Sequence, residues 1–225
     1  MNRPVEAVLF DLDETICVYE QTADEVLDEA FDTLDVAPFF DGDEYVARFD
    51  EFVDAGETVA EVRRAAFAVF AEEAGHNRET GRDLAAAYAE RRDPGGVEFR
   101  PGAREALGAV SDYRVGVVTN GDRERQSPKL DALGIDDRFE VVVHGGVDAP
   151  YKPNPEPFHL ALEELGVDPG NAVHVGNSLG SDVRGALAAG LRAVWVPREE
   201  ADPDPDPQPH YVCETLEAVA DEPWE

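Results

Sequence analysis

The chain has 225 residues, enough for one good-sized hydrophobic core or one domain carrying a smaller insert, and its 43% hydrophobic and 8% aromatic content excludes a disordered protein. Charge is the outlier: 19 Lys+Arg face 50 Asp+Glu, a formal net charge of −31, and Lys129 and Lys152 are its two lysines. Such a surface repels nucleic acid and anionic membranes, whose recognition depends on cationic side chains.

The same acid-rich, lysine-poor surface resembles proteins of halophilic organisms, where molar salt shortens the Debye length to roughly 3 Å and self-repulsion is tolerated. Cys17 and Cys213 stand at opposite ends of the sequence and form no disulfide framework or metal motif, which suits a reducing cytoplasm. Met1-Asn2-Arg3-Pro4 runs straight into an apolar stretch, with no signal-peptide pattern and no run long enough to span a bilayer. A cytoplasmic protein is expected.

In chain order, Val5–Phe10 reads as a buried strand that delivers Asp11 and Asp13 to its carboxyl end, with Thr15 two residues on. The next eighty residues change to helical periodicity, with stretches near 22–35, 43–55, 58–74 and 79–92. Val26, Leu27, Phe31 and Leu34 share one face, and Val62, Ala66, Phe67 and Phe70 another. Turn signals at Pro38, Asp41-Gly42, Ala55-Gly56 and Gly75 divide the stretches, and Asp93-Pro94-Gly95-Gly96 reads as a linker. An all-helical block, 17–96, is thus inserted into a core of 1–16 and 97–225. Within it Arg63-Arg64 and Arg91-Arg92 are expected as ion-pair partners on acidic helices.

From about Phe99 helix and strand alternate: helices near 102–111, 123–133, 155–165 and 181–189, and strands near 114–119, 139–144, 172–175 and 192–196. This order predicts an α/β fold, a doubly wound parallel sheet, with short apolar strands because both faces are covered. Asp202-Pro203-Asp204-Pro205-Asp206-Pro207 excludes helix and inner strand. A short strand at 211–212 and a helix near 214–220 close the chain.

Three more strand ends carry polar groups: Thr119-Asn120-Gly121, the loop Tyr151-Lys152-Pro153, and Gly176-Asn177-Ser178 through Asp182. In a parallel sheet these tips converge on one edge, so Asp11, Asp13, Thr119, Lys152 and Asp182 are candidates for one pocket. The five histidines, His76, His144, His159, His174 and His210, form no ligand spacing and are expected to be structural or exposed.

The four motifs, in this order and with a helical insert directly after the first, resemble the haloacid-dehalogenase-like hydrolases. The resemblance implies a Rossmann-like core with a helical cap, and an aspartyl-phosphate mechanism. It makes Asp11 the nucleophile, Asp13 the proton donor and acceptor, and Lys152 a charge beside the phosphate. Thr119 and the Asn120 backbone would bind phosphoryl oxygens. It implies Mg²⁺ held by Asp11, the Asp13 carbonyl, Asp182 and position 177. Asn177 departs from the family, which usually has Asp there; weaker metal binding with retained activity is expected.

Asp13 favours a phosphatase over the dehalogenase branch, where the motif lacks the second aspartate. The expected activity is hydrolysis of a small phosphorylated metabolite. A phosphomutase, a 2-haloacid dehalogenase, or a non-catalytic binding protein with a decayed metal site are the alternatives. Oligomeric state is open, with a monomer favoured.

Overall fold

The apolar run after Pro4 is a fully buried strand, β1 (Ala7–Phe10), with neighbours on both of its edges. In this computed structural model, which describes residues 4–56, 58–198 and 201–224, the chain leaves β1 through a tight turn into β2 (Cys17–Tyr19). Four helices follow: α1 (Ala23–Leu34), α2 (Gly42–Arg48), α3 (Val59–Glu73) and α4 (Arg78–Arg91). The chain returns along β3 (Val97–Phe99), which pairs with β2.

Alternation begins there: α5 (Ala103–Ala109), β4 (Arg114–Thr119), α6 (Arg123–Leu133), β5 (Val141–His144) and α7 (Glu156–Leu165). β6 (Ala172–Gly176), α8 (Arg184–Ala189), β7 (Arg192–Trp195) and β8 (Tyr211–Val212) complete it. The sheet order is β5-β4-β1-β6-β7-β8 and every pairing is parallel. The chain builds outward from β1 through β4 to β5, then crosses to β6 on the other side. β1 therefore lies at the reversal of strand order, where open α/β sheets form a crevice at their carboxyl ends.

Contacts divide the chain into two units, one of residues up to Val18 and from Val97 onward, the other Tyr19–Gly96. In the core unit, Phe158, Leu162 and Leu165 of α7 pack with Leu9, Val118 and Val183. In the helical unit the core is aromatic, with Phe31, Phe40, Tyr45, Phe67, Phe70 and Tyr88 joined by Leu27 and Leu84. Thr22 with Glu25 and Thr58 with Glu61 form capping boxes that start α1 and α3. Gly81 permits the close approach of α4 to α3, since a Cβ there would fall 2.1 Å from the Phe67 carbonyl oxygen.

Several expectations are corrected. The helix expected over 43–55 is α only to Arg48 and tightens to 3₁₀ over Phe49–Ala55. The stretch expected as one helix from 181 begins as a π-helical turn, Leu179–Val183. The terminal helix is a 3₁₀ segment, Glu217–Asp221. β2 and β3 are strands the sequence reading did not contain; at three residues each they are too short for alternation to register.

Three of the four paired arginines also differ from expectation. Arg63 is buried against Tyr45 and Tyr88. Arg91 bonds the Ala87 carbonyl and the Thr33 hydroxyl, and Arg92 bonds the Gln21 carbonyl while lying over the Tyr19 ring. Their donors go to carbonyls, hydroxyls and π faces within the helical unit. Among the described residues no helix is long and apolar enough to cross a membrane, and Cys17 and Cys213 are buried free thiols.

Candidate active site

The turn after β1 sets the first two carboxylates. The Leu12 carbonyl accepts from the backbone N–H groups of Thr15, Ile16 and Cys17, and Glu14 takes a left-handed φ of 58° that non-glycine residues seldom adopt. Arg100 braces this turn by donating to the carbonyls of Glu14, Val196 and Pro197. Asp11 and Asp13 thus leave the strand end on a backbone fixed from both sides.

Lys152 is the hub of the buried half of the site. Its Nζ donates to Asp11 Oδ1 at 2.8 Å, Asp182 Oδ1 at 2.7 Å and the Val118 carbonyl at 2.7 Å. All three ammonium protons are used. The Asn120 side chain clasps the Lys152 backbone at two points, accepting from its N–H at 2.7 Å and donating to its carbonyl at 2.9 Å. The Asn120 side chain therefore seats the lysine, a duty absent from the sequence reading.

Burial pushes the Asp11 carboxyl up to about 7; Lys152 opposes the rise and Asp182 adds to it. Burial would raise Asp182 too, but Lys152 and His174 outweigh it and hold that carboxyl below its ordinary range. Burial likewise opposes the charge on Lys152, and the two carboxylates overcome it, raising its pKa. As it stands, this cluster is short of positive charge, and Asp11 bears the deficit.

Asp182 lies in the π-helical turn, with Oδ2 accepting from the Ser178 N–H at 3.0 Å and Oδ1 facing His174 Nε2 at 3.1 Å. Gly176 makes room for it, because a Cβ there would come within 2.4 Å of the Asp182 carboxyl carbon. Burial lowers the His174 pKa against the pull of Asp182, so the ring is neutral at pH 7 and Nε2 is its donor. The expectation that the histidines are structural or exposed missed this contact.

Asp13 is held by different partners. Gln126 Nε2 donates to its Oδ2 at 2.8 Å and to Thr119 Oγ1 at 3.1 Å, and Lys129 is ion-paired with its Oδ1. Thr119 is buried, and its hydroxyl, already accepting, keeps a proton to donate. Asn177, its amide oriented to suit its neighbours, donates to the Asp13 carbonyl and to Thr15 Oγ1, both at 3.2 Å, and accepts from Arg198 Nε at 2.9 Å. The Asn177 oxygen expected to face a metal is thus turned to a guanidinium.

Asp11, Lys152 and Asp182 therefore meet directly, and Thr119 joins Asp13 through Gln126. Among the described residues no three His, Cys, Asp or Glu side chains converge as a ligand cluster. Gln126, Lys129, His174 and Arg198 escaped the sequence reading. Lys129 carried one signal: it is one of two lysines in a strongly acidic chain.

A model of the haloacid dehalogenase-like hydrolases matches residues 5–190. The chain belongs to that family. The four motifs and strands β1, β4, β5 and β6 of the parallel sheet fall within the matched span. The rat N-acylneuraminate-9-phosphatase is 37% identical over 107 residues, 47% of this chain and 43% of that protein, so the chain spans less than half the length of the curated relatives it matches first. Among solved structures, a HAD phosphatase from Thermococcus onnurineus is 30% identical, with a TM-score of 0.65 over 97% of each chain. The HAD-hydrolase YfnB of Bacillus subtilis, solved bound to magnesium, is 22% identical with a TM-score of 0.80, covering 98% of this chain and 99% of that one. The YfnB likeness speaks for the fold alone.

Proposed function

We propose that this family member is a Mg²⁺-dependent phosphatase acting on a small phosphorylated metabolite. The observation that carries the reading is the division of labour at the end of β1: Asp11 is buried on Lys152, while Asp13, its side chain 39% exposed, is held separately by Lys129 and Gln126. Two carboxylates in distinct settings suit a nucleophile and a proton carrier. The presence of Asp13 also favours phosphoryl transfer over dehalogenation, which needs no leaving-group acid.

An ionised Asp11 oxygen attacks phosphorus and the bond to the ester oxygen breaks, with Asp13 giving its proton to the departing alcohol. Asp13, now a carboxylate, takes a proton from the water that attacks the aspartyl-phosphate. The phosphorus–Asp11 bond then breaks and inorganic phosphate leaves. The Thr119 hydroxyl and the Asn120 N–H bind phosphoryl oxygens, and Lys152 steadies Asp11 and Asp182.

The donor set suits Mg²⁺, a hard cation that takes one or two carboxylates beside waters and phosphate. Asp11, Asp182 and the Asp13 carbonyl would hold it, with Asn177 bracing that carbonyl from the side. When bound, the cation supplies the positive charge that Asp11 lacks and offsets the charge of the phosphate. The helical unit is assigned substrate selection, and the acidic surface suits work in a salt-rich cytoplasm.

A panel of small phosphate monoesters assayed in molar KCl, with and without Mg²⁺, tests the reading. Hydrolysis should require Mg²⁺ and should fall at least about a thousandfold in Asp11→Asn. Undiminished activity in that variant removes the nucleophile; metal-independent release of halide from a 2-haloacid would move the protein to the dehalogenase branch.

A further inference from the structure

Asp13 needs more than a place on the turn. A carboxylate that first gives and then takes a proton must keep one orientation through two steps, yet its side chain is partly exposed. Both of its oxygens are gripped from α6, by residues one helical turn apart. Gln126 and Lys129 are each only 2% exposed, and they reach Oδ2 and Oδ1 respectively.

Stability alone is a poor reason for this arrangement. Burying an ammonium strips it of its solvation, and an apolar side chain would fill the space without that cost. Gln126 adds to the expense: its Oε1 is buried with no partner among the described residues. Both hydrogens of its amide nitrogen have acceptors, Asp13 and Thr119. Gly121 keeps the approach open, because a Cβ there would lie 1.9 Å from Gln126 Nε2.

We propose that Gln126 and Lys129 are positioning residues for proton transfer: together they fix the Asp13 carboxylate in one orientation, and Gln126 ties it to the hydroxyl of Thr119. The inference rests on the phosphatase reading for its chemistry. The positioning itself is a matter of the contacts that α6 makes with Asp13 and Thr119. Because Gln126 donates to Thr119, the Thr119 proton is left to point at a phosphoryl oxygen, so one amide sets both the acid and one phosphate contact.

The test compares wild type with Lys129→Met and Gln126→Leu on two monoesters, an alkyl phosphate with a poor leaving group and p-nitrophenyl phosphate with a good one. Misplacing Asp13 should lower kcat on the alkyl ester by about a hundredfold with little change in KM. The nitrophenyl ester, whose leaving group needs no proton, should lose less in its first step and accumulate phosphoenzyme, seen by intact mass. Lys129→Arg should recover part of the rate. A first step slowed equally on the two esters with no build-up of phosphoenzyme, or a lower melting temperature with kcat unchanged, would overturn the proposal.

Crystal structures of the same variants give a readout independent of turnover. Asp13 should leave its present orientation in both; an Asp13 that stays in place without Lys129 or Gln126 overturns the claim. If wild type hydrolyses neither ester, the phosphatase reading falls, and these structures still decide whether α6 positions Asp13. Two variants guard against one that fails to fold.

Discussion

The two units bury positive charge in opposite ways. In the core unit, Lys152 is matched to two buried carboxylates and Lys129 to the partly exposed carboxylate of Asp13. In the helical unit, Arg63 is 6% exposed with no carboxylate partner among the described residues; its guanidinium lies 4.8 Å from the Tyr88 ring centre, and its Nε donates to the Tyr45 hydroxyl at 3.2 Å. Paired burial desolvates several charges at once and is tolerated where those charges have work to do. Burial on rings is packing with a polar edge.

Lys152→Met is the harshest way to break that contrast. It leaves Asp11 and Asp182 buried without their shared cation, and removing one partner of such a set costs about 3–5 kcal/mol. Denaturant unfolding in molar KCl should show a loss of that size. A loss below about 1 kcal/mol would mean that the carboxylates find water or protonate freely and that the pairing is not what holds the strand ends together.

Arg63→Met should be milder. The replacement keeps most of the volume and gives up one cation–π contact and one hydrogen bond, about 1–2 kcal/mol in all. No carboxylate is stranded by it. If Arg63→Met instead costs as much as Lys152→Met, the guanidinium answers to an anion in the helical unit and the two burials are alike.

Where polar residues sat at strand ends, the sequence was readable. Asp11, Thr119 and Asp182 follow apolar runs, and parallel strands bring such tips to one edge whatever lies between them. Gln126 and Lys129 were not readable in the same way, because a helix reading Arg-Glu-Arg-Gln-Ser-Pro-Lys looks solvated on every side. Beside Leu130 its buried residues are the polar Gln126 and Lys129, and only the three-dimensional partner, Asp13, explains why. The Glu14 turn and the Asn120 clasp escaped for a related reason: both depend on backbone groups, and backbone geometry leaves little trace in residue type. The tightening of α2 into 3₁₀ marks the limit of periodicity over short stretches.

The gentlest perturbation adds charge where the others remove it. Asn177→Asp places a carboxylate beside the Asp13 carbonyl, which its amide now braces, and in contact with Arg198. Without Mg²⁺ the new charge joins Asp11 and Asp182, where positive charge is already short, so the melting temperature should fall slightly, Arg198 offsetting part of the repulsion. With Mg²⁺ the sign reverses. The added anion should tighten Mg²⁺ binding about tenfold, equivalent to about 1.4 kcal/mol, as titration calorimetry without substrate would read. An Mg²⁺ affinity unchanged by the substitution would place the cation away from position 177 and leave Asn177 as a brace for Asp13 alone. The core unit would then handle charge at this loop as the helical unit does around Arg63, through neutral partners.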